Sequence, residues 1–277
     1  MPKKNLLAML LISSAAAAAI AATSVIGATG VTYECDFSGS PSQCGFEEQS
    51  RPKALLGRAA NSGRATLTNV ARDGATAIRL STQPGDNNVF GSGSSERTDL
   101  SLSQVETGCY QGAQQWWAHS IRFPDDYVIP PSGGVWHWGI VFDFHHTGPS
   151  GQANLQIVSL PTGLAIWVAG GSSVVNGPRD PGFQQAMIGP VVRNTWYDFV
   201  YNVRWSAGSD GFVRAWVNGD LKMDYHGPTL YTGQACYLKL ANYHSPLGLP
   251  VSVIHDRVLR GTSAAAVSSR PLENVID

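Results

Sequence analysis

An all-β fold, built as a two-sheet β-sandwich, is what three features of this sequence predict. About a dozen segments alternate apolar and polar residues with a period of two, the signature of half-buried strands. Gly, Pro, Ser and Asn separate those segments at short intervals, as turns require. Helical periodicity is nearly absent. So many strands in roughly 230 residues imply a jelly roll of the concanavalin-like kind. The 277 residues are 43% hydrophobic and 14% charged, enough for a sizeable core and incompatible with global disorder.

The chain begins differently from the way it continues. Lys3 and Lys4 precede an apolar run from Leu6 to Ile12, and an alanine-rich stretch follows to about Ala28. Residues 1–30 read as a secretory signal peptide, cleaved at a small residue between Ala22 and Gly30. The stretch is also long enough for a single membrane anchor. Its N-terminal position, alanine content and small-residue end favour the signal, and no later segment is apolar enough to span. A secreted or periplasmic protein with no stable membrane anchor is therefore expected. Residues 31–261 form one domain without an internal linker. The tail, 262–277, is rich in Ser and Ala and is expected to be loosely held. Without the signal the chain has 17 basic and 20 acidic residues, a net charge of −3. No basic stripe supports nucleic-acid binding.

All four cysteines follow the signal. An even count in an exported chain points to disulfides, with three possible connectivities and free thiols as the alternative. Cys35 and Cys44 flank a Ser/Gly/Pro turn that can close a short loop, which leaves Cys109 to pair with Cys236. No Cys-x-x-Cys pair supports zinc or redox chemistry.

The predicted strands follow in order: Arg64–Ala71, Ala75–Ser81, Glu96–Leu102, Gln114–Phe123, Val135–His146, Ala153–Leu160, Leu164–Ala169, Trp196–Ser206, Phe212–Val217, Leu221–Tyr225, Cys236–His244 and Val251–Leu259. Asn218-Gly219 supplies the positive φ angles of a tight hairpin. Gln184–Ile188 reads as a short helix or a loop. Alternation assigns the faces. Trp136, Trp138, Ile140, Phe142 and Phe144 share a side, taken as core, and His137, Val141, Asp143 and His145 share the other. Leu238 and Leu240 point inward with Cys236, whereas Tyr237, Lys239, Ala241 and Tyr243 point outward. Leu100 and Leu102 are core, so Arg97 and Asp99 face out. His146 points coreward and reads as structural.

Several chemistries lack their signatures. The chain has no P-loop, no dinucleotide-binding glycine motif, no Gly-x-Ser-x-Gly elbow and no His-Glu-x-x-His. No strand offers the tight acidic pair of a glycoside hydrolase.

Arg97-Thr98-Asp99-Leu100, Asp143-Phe144-His145 and Tyr237-Leu238-Lys239-Leu240-Ala241-Asn242-Tyr243 occur in the order of three motifs found in jelly-roll polysaccharide lyases. The sequence resembles the heparin lyase I-like group, which includes glucuronan lyases, and alginate lyases carry similar motifs. Trp196-Tyr197-Asp198-Phe199, Trp216-Val217-Asn218-Gly219 and His255-Asp256-Arg257-Val258 are also similar. The resemblance spans roughly 95–261. It implies β-elimination at a uronic acid, with His145 and Tyr243 as the proton-transfer pair. Arg97, Lys239, Asp143 and Tyr237 would bind substrate, with Lys239 beside Tyr243 and Arg97 facing the sugar. The scheme requires no metal and no organic cofactor; its partner is a polysaccharide, a polyuronate by this reading, and a monomer is expected. Two departures stand out. Asp143 occupies the position of a family Gln that helps hold the substrate carboxylate, and Ala241-Asn242 replaces the usual Gly-Ile/Val. The competing readings are a non-catalytic, lectin-like sandwich and a hydrolase with unrecognised carboxylates. In the blander reading Tyr237 and Tyr243 are a same-face aromatic pair that stabilises the sheet.

Overall fold

The structure is a computed structural model that describes residues 29–48, 63–86, 95–133, 137–148 and 151–275. The expected signal peptide lies outside the described residues up to position 28, and so does Trp136. Two antiparallel sheets face each other. In chain order their strands are β1 Val31–Cys35, β2 Glu47–Glu48, β3 Ala65–Thr68, β4 Ala77–Thr82, β5 Glu96–Leu102, β6 Gln114–Arg122, β7 Gly139–His146, β8 Leu155–Leu160, β9 Gly163–Ala169, β10 Phe183–Gly189, β11 Trp196–Arg204, β12 Phe212–Val217, β13 Asp220–His226, β14 Cys236–His244 and β15 Val251–Gly261. The first sheet runs β13-β12-β11-β6-β15-β4-β3, with β1 also paired to β15; the second runs β10-β9-β8-β7-β14-β5-β2. This is the predicted sandwich. Asn218 and Gly219 take φ of 55° and 97° in the β12–β13 hairpin, as their sequence requires.

Residues 184–188 are strand, not helix or loop. They belong to β10, which pairs with β9 in register from Phe183↔Ala169 to Met187↔Ala165. As an edge strand, β10 exposes Gln184 and Gln185 and lacks clean alternation.

The core between the sheets is aromatic. Phe142, Phe144, Leu238 and Leu240 are buried as their alternation requires, alongside Trp117, Tyr201 and Trp205. Trp138 and Ile140 are not part of it. The β7–β8 register shifts between Ile140 and Phe142, a bulge that turns Val141 into the core. Because strand side chains alternate, one extra residue flips everything before it to the opposite face. Trp138 is therefore half-buried on the outer face of the second sheet, where Ile140 packs with Ala241, Val158 and Trp167.

The C-terminal tail is docked rather than loose. Ala266 and Val267, in the short helix α2 Ala264–Val267, are buried on the outer face of the first sheet. The Trp216 indole N–H donates to the Glu273 carbonyl at 2.6 Å, and the Glu273 amide donates to the Gly219 carbonyl at 2.9 Å. A Ser/Ala-rich sequence hides this because the contacts come from only a few residues.

Both disulfides form as expected, Cys35–Cys44 and Cys109–Cys236. The second ties the start of β14 to Cys109, two residues past the end of helix α1 Gln104–Thr107. The bridges span 9 and 127 residues of chain. In the chain-entropy account they restrict the unfolded state by about 3 and about 5 kcal/mol respectively. Replacing Cys109 and Cys236 by Ser is therefore expected to lower stability by about 2 kcal/mol more than replacing Cys35 and Cys44. Urea titration of the two double variants measures the difference; equal losses would contradict it.

Two fully buried histidines predict acid sensitivity. His119 stacks on Phe142 with ring centres 3.8 Å apart, and burial holds its pKa well below the ordinary 6.5. Burial likewise lowers His255 to about 4, against the opposing hydrogen bond to the Ala241 carbonyl. Both are neutral in the folded chain and bind a proton on unfolding. Their contribution is whole above pH 6.5 and is lost as pH falls toward the folded values, each adding about 1.4 kcal/mol per pH unit. Asp143 and Asp256, whose carboxyls burial pushes up, act in the opposite sense and offset part of this. The urea midpoint is expected to fall between pH 7 and pH 5, and less steeply in a His255→Gln variant. A rising midpoint would contradict the assignment.

Candidate active site

Four neighbouring strands of the second sheet, β5, β14, β7 and β8, present their polar side chains on one outer face. Their register sets the neighbours: Tyr243 lies opposite Arg97, Ala241 opposite Asp99, and Ser101 opposite Lys239. On the other edge of β14, Lys239 lies opposite Asp143 and Tyr237 opposite His145. Asp143 in turn lies opposite Gln156 on β8. Period-two alternation along four strands thus gathers residues that are far apart in sequence.

Lys239 is at the centre and is buried, with 3% of its surface exposed. Its Nζ lies 3.7 Å from Asp99 Oδ2 and 3.8 Å from Asp143 Oδ2. Arg97 Nε approaches Asp99 Oδ2 at 3.5 Å. Two cations and two carboxylates therefore share a small, nearly dry volume, where an unpaired charge would be very costly. Burial opposes the charge on Lys239, but Asp143 and then Asp99 outweigh it and hold the pKa above its ordinary value. Arg97 follows the same pattern, its burial outweighed by Asp99 and then Tyr243. For Asp143 burial wins: despite Lys239 and Arg97, its carboxyl is pushed up.

A groove of about 300 Å³ opens above this cluster, with Arg97, Asp143, His145, Gln156 and Tyr243 on its polar side. Trp138, Ile140, Val158 and Trp167 form its apolar side. The Arg97 guanidinium carbon sits 3.6 Å from the centre of the Tyr243 ring, a cation–π stack that fixes the phenol. Trp138 packs edge-on against the same ring at 4.7 Å. His145 is half-buried, and its Nδ1–H donates to the His146 carbonyl at 2.9 Å. That bond fixes the tautomer and leaves Nε2 as an acceptor. Burial, and then Lys239, lower the His145 pKa to about 3, so the ring is neutral at ordinary pH.

The structure brings His145, Tyr243, Arg97 and Asp143 into one groove. Lys239, expected at the open surface, is instead beneath it, acting on the groove through its partner Asp143 and through its charge on His145. Tyr237 does not line the groove; it supports His145 from the side, with ring centres 5.3 Å apart. Sequence reasoning missed Gln156, Trp138 and Trp167. Gln156 is 2% exposed, and its Oε1 has no hydrogen-bond partner among the described residues. A lone amide amid the apolar residues of β8 was its only signal.

Another cavity, about 270 Å³, opens on the first sheet among Arg72, Asp198, Arg257 and Arg270. Its arginines are already engaged, Arg72 and Arg270 by Asp198 and Arg257 by Asp73.

No curated protein sequence matches the chain. Among solved structures it is similar to an endo-β-1,4-glucuronan lyase from the fungus Trichoderma reesei, with a TM-score of 0.62 at 14% identity over 86% of this chain and 98% of that one. It is also similar to a family 7 alginate lyase crystallised with its product, with a TM-score of 0.50 at 16% identity over 79% of this chain and 95% of that one. At these identities the likeness shows a shared fold. The family model described as polysaccharide lyase matches residues 39–259, most of the chain and all four site strands. The chain belongs to the polysaccharide lyase family.

Proposed function

We propose that the protein is a secreted lyase that cleaves a uronic-acid polysaccharide by β-elimination in the groove of the second sheet. The observation that carries the reading is the meeting of His145, Tyr243 and Arg97 in one groove beside an apolar wall. Glucuronan and alginate, the polymers named for the similar structures, are the first substrates to test. Two disulfides suit an oxidising compartment, and no helix among the described residues is long and apolar enough to cross a membrane. One chain supplies every residue the scheme uses.

The chemistry follows from the groups. In a 4-linked uronate, His145 Nε2 takes the proton from C5, the C–H electrons form the C4=C5 double bond, and the C4–O bond breaks. Tyr243 protonates the departing oxygen. The resulting imidazolium and phenolate are neutralised when a proton returns from His145 to Tyr243, and no water is consumed. Arg97 offsets the charge that builds on the sugar carboxylate as C5 loses its proton. Trp138 and Trp167 supply an apolar face suited to a pyranose ring. The low basicity of His145 guarantees its neutral form but weakens its pull on the proton. A uronate entering the groove offsets this by favouring the imidazolium. The same low basicity favours a second division of labour, in which Tyr243 both removes and returns the proton.

Ultraviolet absorbance of the unsaturated product tests both schemes. Tyr243→Phe is expected to abolish elimination with the fold intact, since it removes one hydroxyl. His145→Ala is expected to lower kcat about 10²–10⁴-fold if His145 is the base. An active His145→Ala variant with an inactive Tyr243→Phe variant would assign both steps to Tyr243. Full activity of Tyr243→Phe would overturn the site assignment.

A further inference from the structure

We propose that Asp143 binds the substrate carboxylate as a neutral acid, taking up one proton from solvent when a uronate enters the groove and donating its O–H to the sugar's carboxylate. The inference rests on the uronate-lyase reading and adds a proton-linked binding residue to it.

Charge balance is the first argument. Arg97 and Lys239 are matched by Asp99 and Asp143, so the cluster has no cation to spare. A uronate brings a further negative charge, leaving three anions against two cations beneath an apolar wall. Protonating one carboxyl restores the balance. Asp143 is the one more easily protonated: Asp99 has two cations within 4 Å, at 3.5 and 3.7 Å, whereas Asp143 has one, at 3.8 Å, and shares it.

Unmet hydrogen bonding is the second argument. Asp143 is 2% exposed, and its Oδ1 has no hydrogen-bond partner among the described residues. Directly opposite, Gln156 Oε1 has none either. Two buried acceptors on neighbouring strands, with no donor for either, mark a place for a proton. In the empty groove Asp143 is the anion that balances Lys239; in the occupied groove it gains the proton and donates it to the uronate carboxylate. Burial already pushes the Asp143 carboxyl up. The groups surrounding it are Arg97 and Asp99 on β5, Lys239, Tyr237 and Tyr243 on β14, and His145 and His146 on its own strand. β8 contributes the uncharged amide and no titratable group. His145, lowered to about 3, is neutral between pH 5 and 8 in the empty groove, and Asp143→Asn separates the two groups in the loaded one because it keeps His145 and removes only the carboxyl.

Calorimetry with a glucuronan tetrasaccharide, in two buffers of different ionisation enthalpy, counts the protons taken up on binding. Elimination of glucuronan is followed alongside from pH 5 to pH 8. The wild-type chain is expected to take up about one proton at the upper end of this range. Its kcat/KM is expected to fall by up to about tenfold per pH unit on the alkaline side. Asp143→Asn, which keeps the size and removes the titration, is expected to lose the uptake and that alkaline fall. Elimination with no proton uptake by the wild-type chain would overturn this proposal and leave the lyase reading intact. Identical pH profiles for wild type and Asp143→Asn would do the same. Neither binding nor elimination would overturn both.

Discussion

The buried ammonium of Lys239 is the constraint on which the site depends. It lies between the carboxylates of Asp99 and Asp143, so one side chain ties β5, β14 and β7 together. Such a cluster is a poor source of net stability, because desolvation consumes much of the attraction. Its value is positional. Removing one partner strands a buried charge, at a cost of about 3–5 kcal/mol, so the strands cannot slip past one another. With Lys239 fixed, alternation dictates where Tyr237 and Tyr243 emerge on β14, and cross-strand register places His145 and Arg97 beside them.

The β7 bulge supplies the other half of the groove. Without the extra residue at Val141, Trp138 and Ile140 would point into the core and the groove would keep only Val158 and Trp167 of its apolar wall. Bulges often occur beside functional sites because they re-aim side chains without breaking a sheet. Here the bulge lets one stretch of chain give the groove polar residues, Asp143 and His145, on one side of it and apolar ones, Trp138 and Ile140, on the other. The Cys109–Cys236 bridge holds the end of β14 nearest His145, and the core aromatics back the same strands from inside.

The sequence made the sandwich legible, and it made part of the site legible. The bounds of β5 and β14 coincide with the predicted segments because their alternation is unbroken from end to end. Arg97, Asp143, His145 and Tyr243 were identifiable on those grounds together with the motif order. The bulge was not, because Ile140, Val141 and Phe142 are all apolar and neither register violates the pattern. Burial of Lys239 was not, because a lone strand lysine ordinarily reads as solvated; only the partner carboxylates on two other strands reverse that expectation. Gln156 stayed hidden for a related reason, since its meaning comes from lying opposite Asp143. Docking of the tail depends on Trp216 and Gly219, far from the tail in sequence.

Hydrolysis adds a water molecule across the cleaved bond and elimination adds none, so the fate of water oxygen separates the two. Cleavage of glucuronan, and of alginate, in oxygen-18 water followed by mass spectrometry reports whether water enters the product. The account predicts ultraviolet-absorbing, unsaturated ends with no oxygen-18 incorporated at the cleaved bond. Saturated products carrying oxygen-18 at the new end would contradict it and make the groove the site of a hydrolase.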